Sequence, residues 1–340
     1  MPKTRLIILP MLLVALFMAA SVIAQDYKAQ LEEALAKVET LNKQMQEASD
    51  AGDLDKYNTL KGEWEALQPK IKELKDKLNA SVQSDVRAKA KFNEGNGHIK
   101  AGRYREAVNA YKESIELDPA NELTYYMLGL AQTRLDNMAE AKAAFKKATE
   151  LNANYAAAFL ALGNIASKER DDEAALVNYN RAVELDPSQS KAFYGIGNIH
   201  LKARRFSQAE DAYLKAVEAD PEYSAAWINL GRARYEQKKF NEAIPAFQKG
   251  VELDPRSETG WYYLADALNE IKSFSKALEA ADKSLKIKRN YAAAWHAKGV
   301  ALMNLGQKQE AIAAFEKAKA DRVWRESADY HIKKIQGKIQ

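Results

Sequence analysis

The chain of 340 residues has no cysteine and only four histidines. The first absence excludes disulfides and cysteine-ligated metal sites. The second leaves His98, His200, His296 and His331, scattered along the sequence, whereas a metal or catalytic centre needs ligands that converge within one coordination sphere. Charge of one sign is lacking too. Lys and Arg number 51 against 47 Asp and Glu, a formal balance of +4, and the two signs are interspersed. Nucleic-acid binding calls for basic clusters concentrated on one face, so no nucleic-acid partner is expected. There is no nucleophile–base constellation, no phosphate loop and no metal-ligand spacing. The sequence therefore implies no catalytic residues, no cofactor and no enzymatic activity.

One apolar run stands out. Lys3 and Arg5 precede Leu6 to Ala20, and Ser21-Val22-Ile23-Ala24 leads to polar Gln25. This order reads as a signal peptide over residues 1–24, with small Ala24 placed for cleavage before Gln25 and Pro10 ill suited to a long spanning helix. The nineteen residues from Leu6 to Ala24 also suffice to cross a bilayer, so an uncleaved anchor is the alternative, and membrane attachment is expected only in that case. Either way the bulk is expected to be exported, periplasmic or secreted. No cysteine follows the run, which excludes a lipoprotein anchor. Removing the segment takes away two cations and lowers the balance to +2.

Residues 25–82 have a different pattern. Tyr27, Leu31, Ala34, Val38, Leu41 and Met45 alternate spacings of four and three, as do Leu60, Trp64, Leu67, Ile71, Leu74 and Leu78; this is heptad spacing. The two runs differ in phase across Ser49 to Asp53, where Gly52 can end one helix and Asp53 cap the next. A helical hairpin is expected, with Pro69 a candidate kink. The same stripes could instead pair between chains, making residues 26–79 the route to a homo-oligomer.

From Ala88 to Arg325 a 34-residue pattern recurs seven times without a gap, in copies 88–121, 122–155, 156–189, 190–223, 224–257, 258–291 and 292–325. Its eighth position holds Gly95, Gly129, Gly163, Gly197, Gly231 and Gly299, and its twentieth is alanine in all seven copies, Ala107 to Ala311. Glycine within a helix costs roughly 0.5–1 kcal/mol relative to alanine, so six at one offset point to a helix crossing too close for a β-carbon. The pattern resembles the tetratricopeptide repeat family: an aromatic, Leu-Gly, a tyrosine, Ala-x-x-x-Phe and a closing proline. Trp227, Trp261 and Trp295 stand at the fourth position, and Pro119, Pro187, Pro221 and Pro255 close their copies. The resemblance covers 238 of 340 residues and implies an all-α, right-handed α-solenoid of helix-turn-helix pairs. The sixth copy departs with Ala265 for glycine, Ala281 for the aromatic and Arg289 for proline, which points to looser packing there. Pro245 is expected near the start of a second helix, where a missing donor matters little. Residues 326–340 carry Ala328, Ile332, Ile335 and Ile339 on one side but Lys333 at the glycine offset; they are expected to form a capping helix.

The resemblance also places the binding face. In this family the first helices line a groove with their second, fifth, sixth, ninth, twelfth and thirteenth offsets. The fifth holds Phe92, Tyr126, Leu160, Tyr194, Ile228, Tyr262 and His296; the sixth and ninth add Asn93, Asn96, Asn164, Asn198, Asn229, Arg232 and Asp266. Aromatic platforms beside amides, which donate and accept, suit a peptide laid in a groove. The thirteenth offset runs Lys100, Arg134, Lys168, Lys202, Glu236, Glu270 and Asn304, a change of sign that would orient a charged ligand. Family members that grip a carboxyl-terminal acidic peptide use a fifth-offset lysine, which is absent here. The expected function is an exported scaffold binding a peptide or protein segment, with self-assembly as the alternative.

Overall fold

The computed structural model describes residues 22–338, and among these every regular element is an α-helix. The expected signal segment, residues 1–24, lies outside the described residues apart from its last three, which open α1 (Val22–Asp50). Gly52, at φ 75°, turns the chain. The Asp53 side chain accepts the Lys56 N–H at 3.0 Å and starts α2 (Leu54–Lys100). Leu31 and Ala34 of α1 bury themselves against Ile71 and Leu74 of α2, so the two stripes meet within one chain. Among the described residues no helix is long and apolar enough to cross a membrane.

The boundary expected between 82 and 88 falls inside α2. Neither glycine nor proline occurs between Pro69 and Gly95, so nothing stops the helix, and its last turns serve as the first helix of the first copy. The helix also continues through Pro69. α3 (Tyr104–Leu117) completes that copy, and α4 (Glu122–Arg134) with α5 (Met138–Leu151) forms the second. The later copies are α6 (Ala156–Lys168) with α7 (Asp172–Leu185), α8 (Ser190–Lys202) with α9 (Phe206–Ala219), α10 (Ser224–Glu236) with α11 (Phe240–Leu253), α12 (Glu258–Glu270) with α13 (Phe274–Ile287), and α14 (Ala292–Asn304) with α15 (Lys308–Ala318). α16 (Arg325–Ile335) follows. The helices fall into two compact units, one ending at Ala153 and the other beginning at Asn154. The hairpin and two copies belong to the first; five copies and α16 belong to the second.

The repeated small residues have a direct physical cause. A β-carbon on Gly197 would stand 2.5 Å from the Tyr213 ring, and one on Gly231 would stand 2.6 Å from Phe247. The aromatic at the twenty-fourth offset thus lies flat on the glycine of its own copy. The seven alanines of the twentieth offset are fully buried. Each pair of helices is joined through a left-handed residue at the fifteenth offset, a glycine in the first and last copies and Asp136, Arg170, Arg204, Lys238 or Lys272 between. The next N–H closes back on the eleventh-offset carbonyl, as from Arg205 to His200 at 2.9 Å, which satisfies helix-end carbonyls in a Schellman arrangement. Trp227 and Trp261 donate their indole N–H to the carbonyls of Pro221 and Pro255 at 2.8 and 3.0 Å, and Trp295 does the same to Arg289 at 2.8 Å. The tie needs only a carbonyl, so arginine in place of the closing proline leaves it intact.

Two expectations are corrected here. Ala265 and Ala281 are both fully buried. Losing the ring removes the reason for the glycine; Tyr262 and Tyr263 pack with the cluster that holds both alanines, and Tyr263 stacks on Phe247 of the fifth copy at 5.7 Å. The sixth copy is therefore repacked rather than loosened. Pro245 is the sixth residue of α11, beyond the first four positions whose N–H groups have no partner within a helix. It removes a real hydrogen bond. At the other end, Ala328 and Ile332 of α16 are buried against Leu302, Ala311 and Phe315, covering what the last pair would expose; Ile339 lies outside the described residues.

Candidate functional site

The ninth offset explains much of the asparagine pattern. Tyr111, Tyr179 and Tyr213 donate their hydroxyls to Asn96, Asn164 and Asn198 at 2.7, 2.9 and 2.7 Å. These three copies have tyrosine at the twenty-fourth offset and asparagine at the ninth; copies with Phe145, Phe247, Ala281 or Phe315 have Leu130, Arg232, Asp266 or Val300 instead. The asparagine oxygen thus satisfies a phenol sunk against the repeat glycine, where burial raises the Tyr111 hydroxyl to about 12. The amide N–H groups of these residues remain for other partners. The sequence carried this signal as a pairing between two offsets fifteen residues apart, which reading each offset alone does not reveal.

The fifth offset divides in a similar way. Phe92, Tyr126 and Tyr194 are half-buried and lean on Tyr111, Phe145 and Tyr213 with ring centroids 5.9, 5.6 and 5.8 Å apart. Ile228, Tyr262 and His296 are buried, each 8% exposed. Tyr262, expected to line the groove, instead packs between Tyr263, Tyr291 and Trp324 at 4.7, 5.5 and 6.3 Å. It is a core residue, as Ile228 and His296 are at the same offset of the copies on either side. His296 Nε2 lies 2.7 Å from Ser327 Oγ, and burial together with nearby His331 pushes its imidazole down to about 4.

In the second unit, the structure brings three of the expected residues into one patch. Asn229 of α10 donates to the Tyr194 hydroxyl at 3.1 Å and to Asn198 Oδ1 at 3.2 Å, both on α8. Tyr194 also leans on Tyr223 at 5.0 Å. One turn further along α10, Arg232 places its guanidinium 5.6 Å from the Tyr263 ring centre, while its Nε is buried with no hydrogen-bond partner. Asp266 accepts from the Tyr235 hydroxyl at 2.7 Å. Burial first, and then Glu270, raise its carboxyl to about 6. Lys168, Lys202, Glu236 and Glu270 are exposed, with Lys202 held by Asp172 at 2.8 Å. Phe92, Asn96 and Tyr126 belong to the first unit; Asn164, like the patch itself, belongs to the second. Tyr223, Tyr235 and Tyr263 were not among the expected site residues, although they share its surroundings.

Family models described as tetratricopeptide repeat match residues 124–155, 156–189, 194–258, 229–292 and 292–320, and a TPR repeat model matches 95–136. Together they span more than half of the chain. The chain belongs to the tetratricopeptide repeat family. It is 39% identical over 64 residues to the small glutamine-rich tetratricopeptide repeat-containing proteins beta of Rattus norvegicus and Mus musculus, 18% of this chain and 21% of theirs. The match thus spans about a fifth of the length of these curated relatives. Among solved structures it is similar to YrrB, described as a TPR protein with an unusual peptide-binding site, at 25% identity and a TM-score of 0.50 over 55% of this chain and 97% of that one. The C-terminal part of a TPR protein from Cytophaga hutchinsonii shares the fold at 19% identity and a TM-score of 0.55, over 71% and 99%. So does PilF of Pseudomonas aeruginosa, at 22% and 0.53 over 65% and 99%.

Proposed function

We propose that this chain is an exported, non-enzymatic scaffold that binds a peptide or protein segment on the face shared by α8, α10 and α12, in the service of cell-envelope assembly. The observation that carries the reading is the run of side chains from Tyr194 through Asn198 and Asn229 to Arg232, which joins neighbouring repeats by hydrogen bonds of 3.1 and 3.2 Å and ends on an arginine whose Nε has no hydrogen-bond partner. Half-buried tyrosines supply flat apolar surface with a polar end. The amides match a main-chain unit, which needs one donor and one acceptor. The likeness to YrrB supports a peptide as the occupant. The leader-like start of the sequence supports export, with retention as an anchor the alternative. Burial of the hairpin stripes inside one chain weighs against residues 26–79 as the route to self-assembly.

The test is capture of partners from an envelope fraction by wild-type chain and by Asn229→Ala. Each hydrogen bond of this kind contributes roughly 0.5–1.5 kcal/mol, so capture should weaken several-fold with helicity unchanged. Capture that is unaffected by this change but lost when outward-facing residues or the hairpin are altered would place the working surface elsewhere.

A further inference from the structure

We infer that Arg232 receives an acidic side chain, aspartate or glutamate, from within the bound segment; this rests on the peptide-binding reading above. The observation is an arginine at the end of the patch that, although the Glu236 and Asp266 carboxylates share the surroundings of the same Tyr263 ring, is tied to neither. Arg232 makes no ion pair among the described residues, and its Nε is buried without a hydrogen-bond partner. Glu210, by contrast, shows how this protein treats an ion sunk in its core: it takes Arg234, Lys239 and Gln237 at 2.8, 2.8 and 2.9 Å. A buried donor left unmade is costly, and a guanidinium forks onto a carboxylate with two parallel hydrogen bonds.

The surroundings favour a side chain in mid-segment over a chain end. Aromatic surface stands on both sides of Arg232. Tyr194 and Tyr223 pair at 5.0 Å near the Asn229 end, and Tyr263 lies under the guanidinium at 5.6 Å. Burial raises the phenols of Tyr213, Tyr263 and Tyr291, and Arg232 pulls each partly back, so the cation and these rings share one environment. A terminal carboxylate would use the rings on one side only. Asn229 lies three residues before Arg232, on the same face of α10; its N–H groups go to Tyr194 and Asn198, and its Oδ1 can accept a main-chain N–H beside the anchored acid.

The experiment presents the full chain with a random peptide library displayed in two formats, one with peptides internal to the carrier and one with free carboxyl termini. Internal peptides carrying aspartate or glutamate between aromatic or aliphatic residues should be enriched on the wild type. An enriched peptide synthesised with both ends blocked should lose on the order of ten- to a hundredfold in affinity to Arg232→Gln, with part recovered in Arg232→Lys and with circular dichroism unchanged. Enriched internal peptides that lack acids, or that bind Arg232→Gln as well as wild type, would overturn the inference and leave peptide binding standing. Enrichment confined to free termini would also overturn it. If no peptide is enriched in either format, the peptide-binding reading fails and this assignment with it.

Discussion

The fourth and sixth copies follow the same 34-residue path with different interiors. In the fourth, Tyr213 lies on Gly197 and gives its hydroxyl to Asn198. In the sixth, both partners are alanine and fully buried; Tyr262 and Tyr263 pack inward, and Asp266 takes up the Tyr235 hydroxyl. Each of these two copies supplies an acceptor to a buried or half-buried phenol, Asn198 in one and Asp266 in the other. A position expected by offset to face the groove can therefore be taken up by structure, as Asn198 partly is, or keep an unsatisfied donor, as Arg232 does at Nε.

The largest expected effect comes from forcing the fourth copy toward the sixth. Tyr213→Ala should cost about 3–5 kcal/mol, the range for emptying an aromatic site. Gly197→Ala alone should cost about 1–3 kcal/mol by overpacking the ring. The double variant should be more stable than the sum of the two implies, by about 1 kcal/mol or more, as read from urea denaturation. Simple additivity would mean that ring and glycine are not coupled.

Asn198→Ala comes next. It leaves the Tyr213 hydroxyl without its acceptor, at a cost of about 1–3 kcal/mol, and adding Tyr213→Phe should recover most of that loss. Asn229→Ala removes two part-buried hydrogen bonds but takes no acceptor from the buried Tyr213 phenol, so it should cost about 1–2 kcal/mol. Asn229 is thus the cleaner probe of binding, since Asn198 mixes binding with folding.

Removing a helix-interior proline should restore the hydrogen bond it deletes, so Pro245→Ala should raise stability by about 1 kcal/mol or more. No gain in thermal midpoint would mean that α11 tolerates the missing bond without strain.

Asp266 gives the sixth copy a pH signature of its own. Its carboxyl rises from 3.8 to about 6 because burial disfavours the ion. The folded state therefore binds the proton more tightly than the unfolded one, and this contribution is full below 3.8 and lost as pH rises through about 6. The stability of the wild type relative to Asp266→Asn should fall across that window; a flat difference would place the carboxylate in water. The smallest effect is expected for Ala265→Gly, near 1 kcal/mol, because no ring waits above it.

Period, helix pairs, hairpin and cap were legible in the sequence because each rests on local rules: glycine where rings cross, Gly52 and Asp53 at a turn, apolar spacing along a stripe. The first helix boundary was not, since a change of pattern near residue 82 brings no residue that stops a helix. The patch of Tyr194, Asn198 and Asn229 was legible from offsets. The burial of Tyr262 was not, because it depends on Tyr291 and Trp324, which come from far along the chain. The structural half of the asparagine pattern was written in the pairing with tyrosine at the twenty-fourth offset, visible only when two columns of the repeat are compared.

The central claim is that the face of α8, α10 and α12 is the working surface. Benzoylphenylalanine in place of Tyr194, in the full chain, should crosslink to a bound peptide or protein segment on illumination, and the same group in place of exposed Val177 should not. Crosslinking from position 177 with none from 194 would contradict the account.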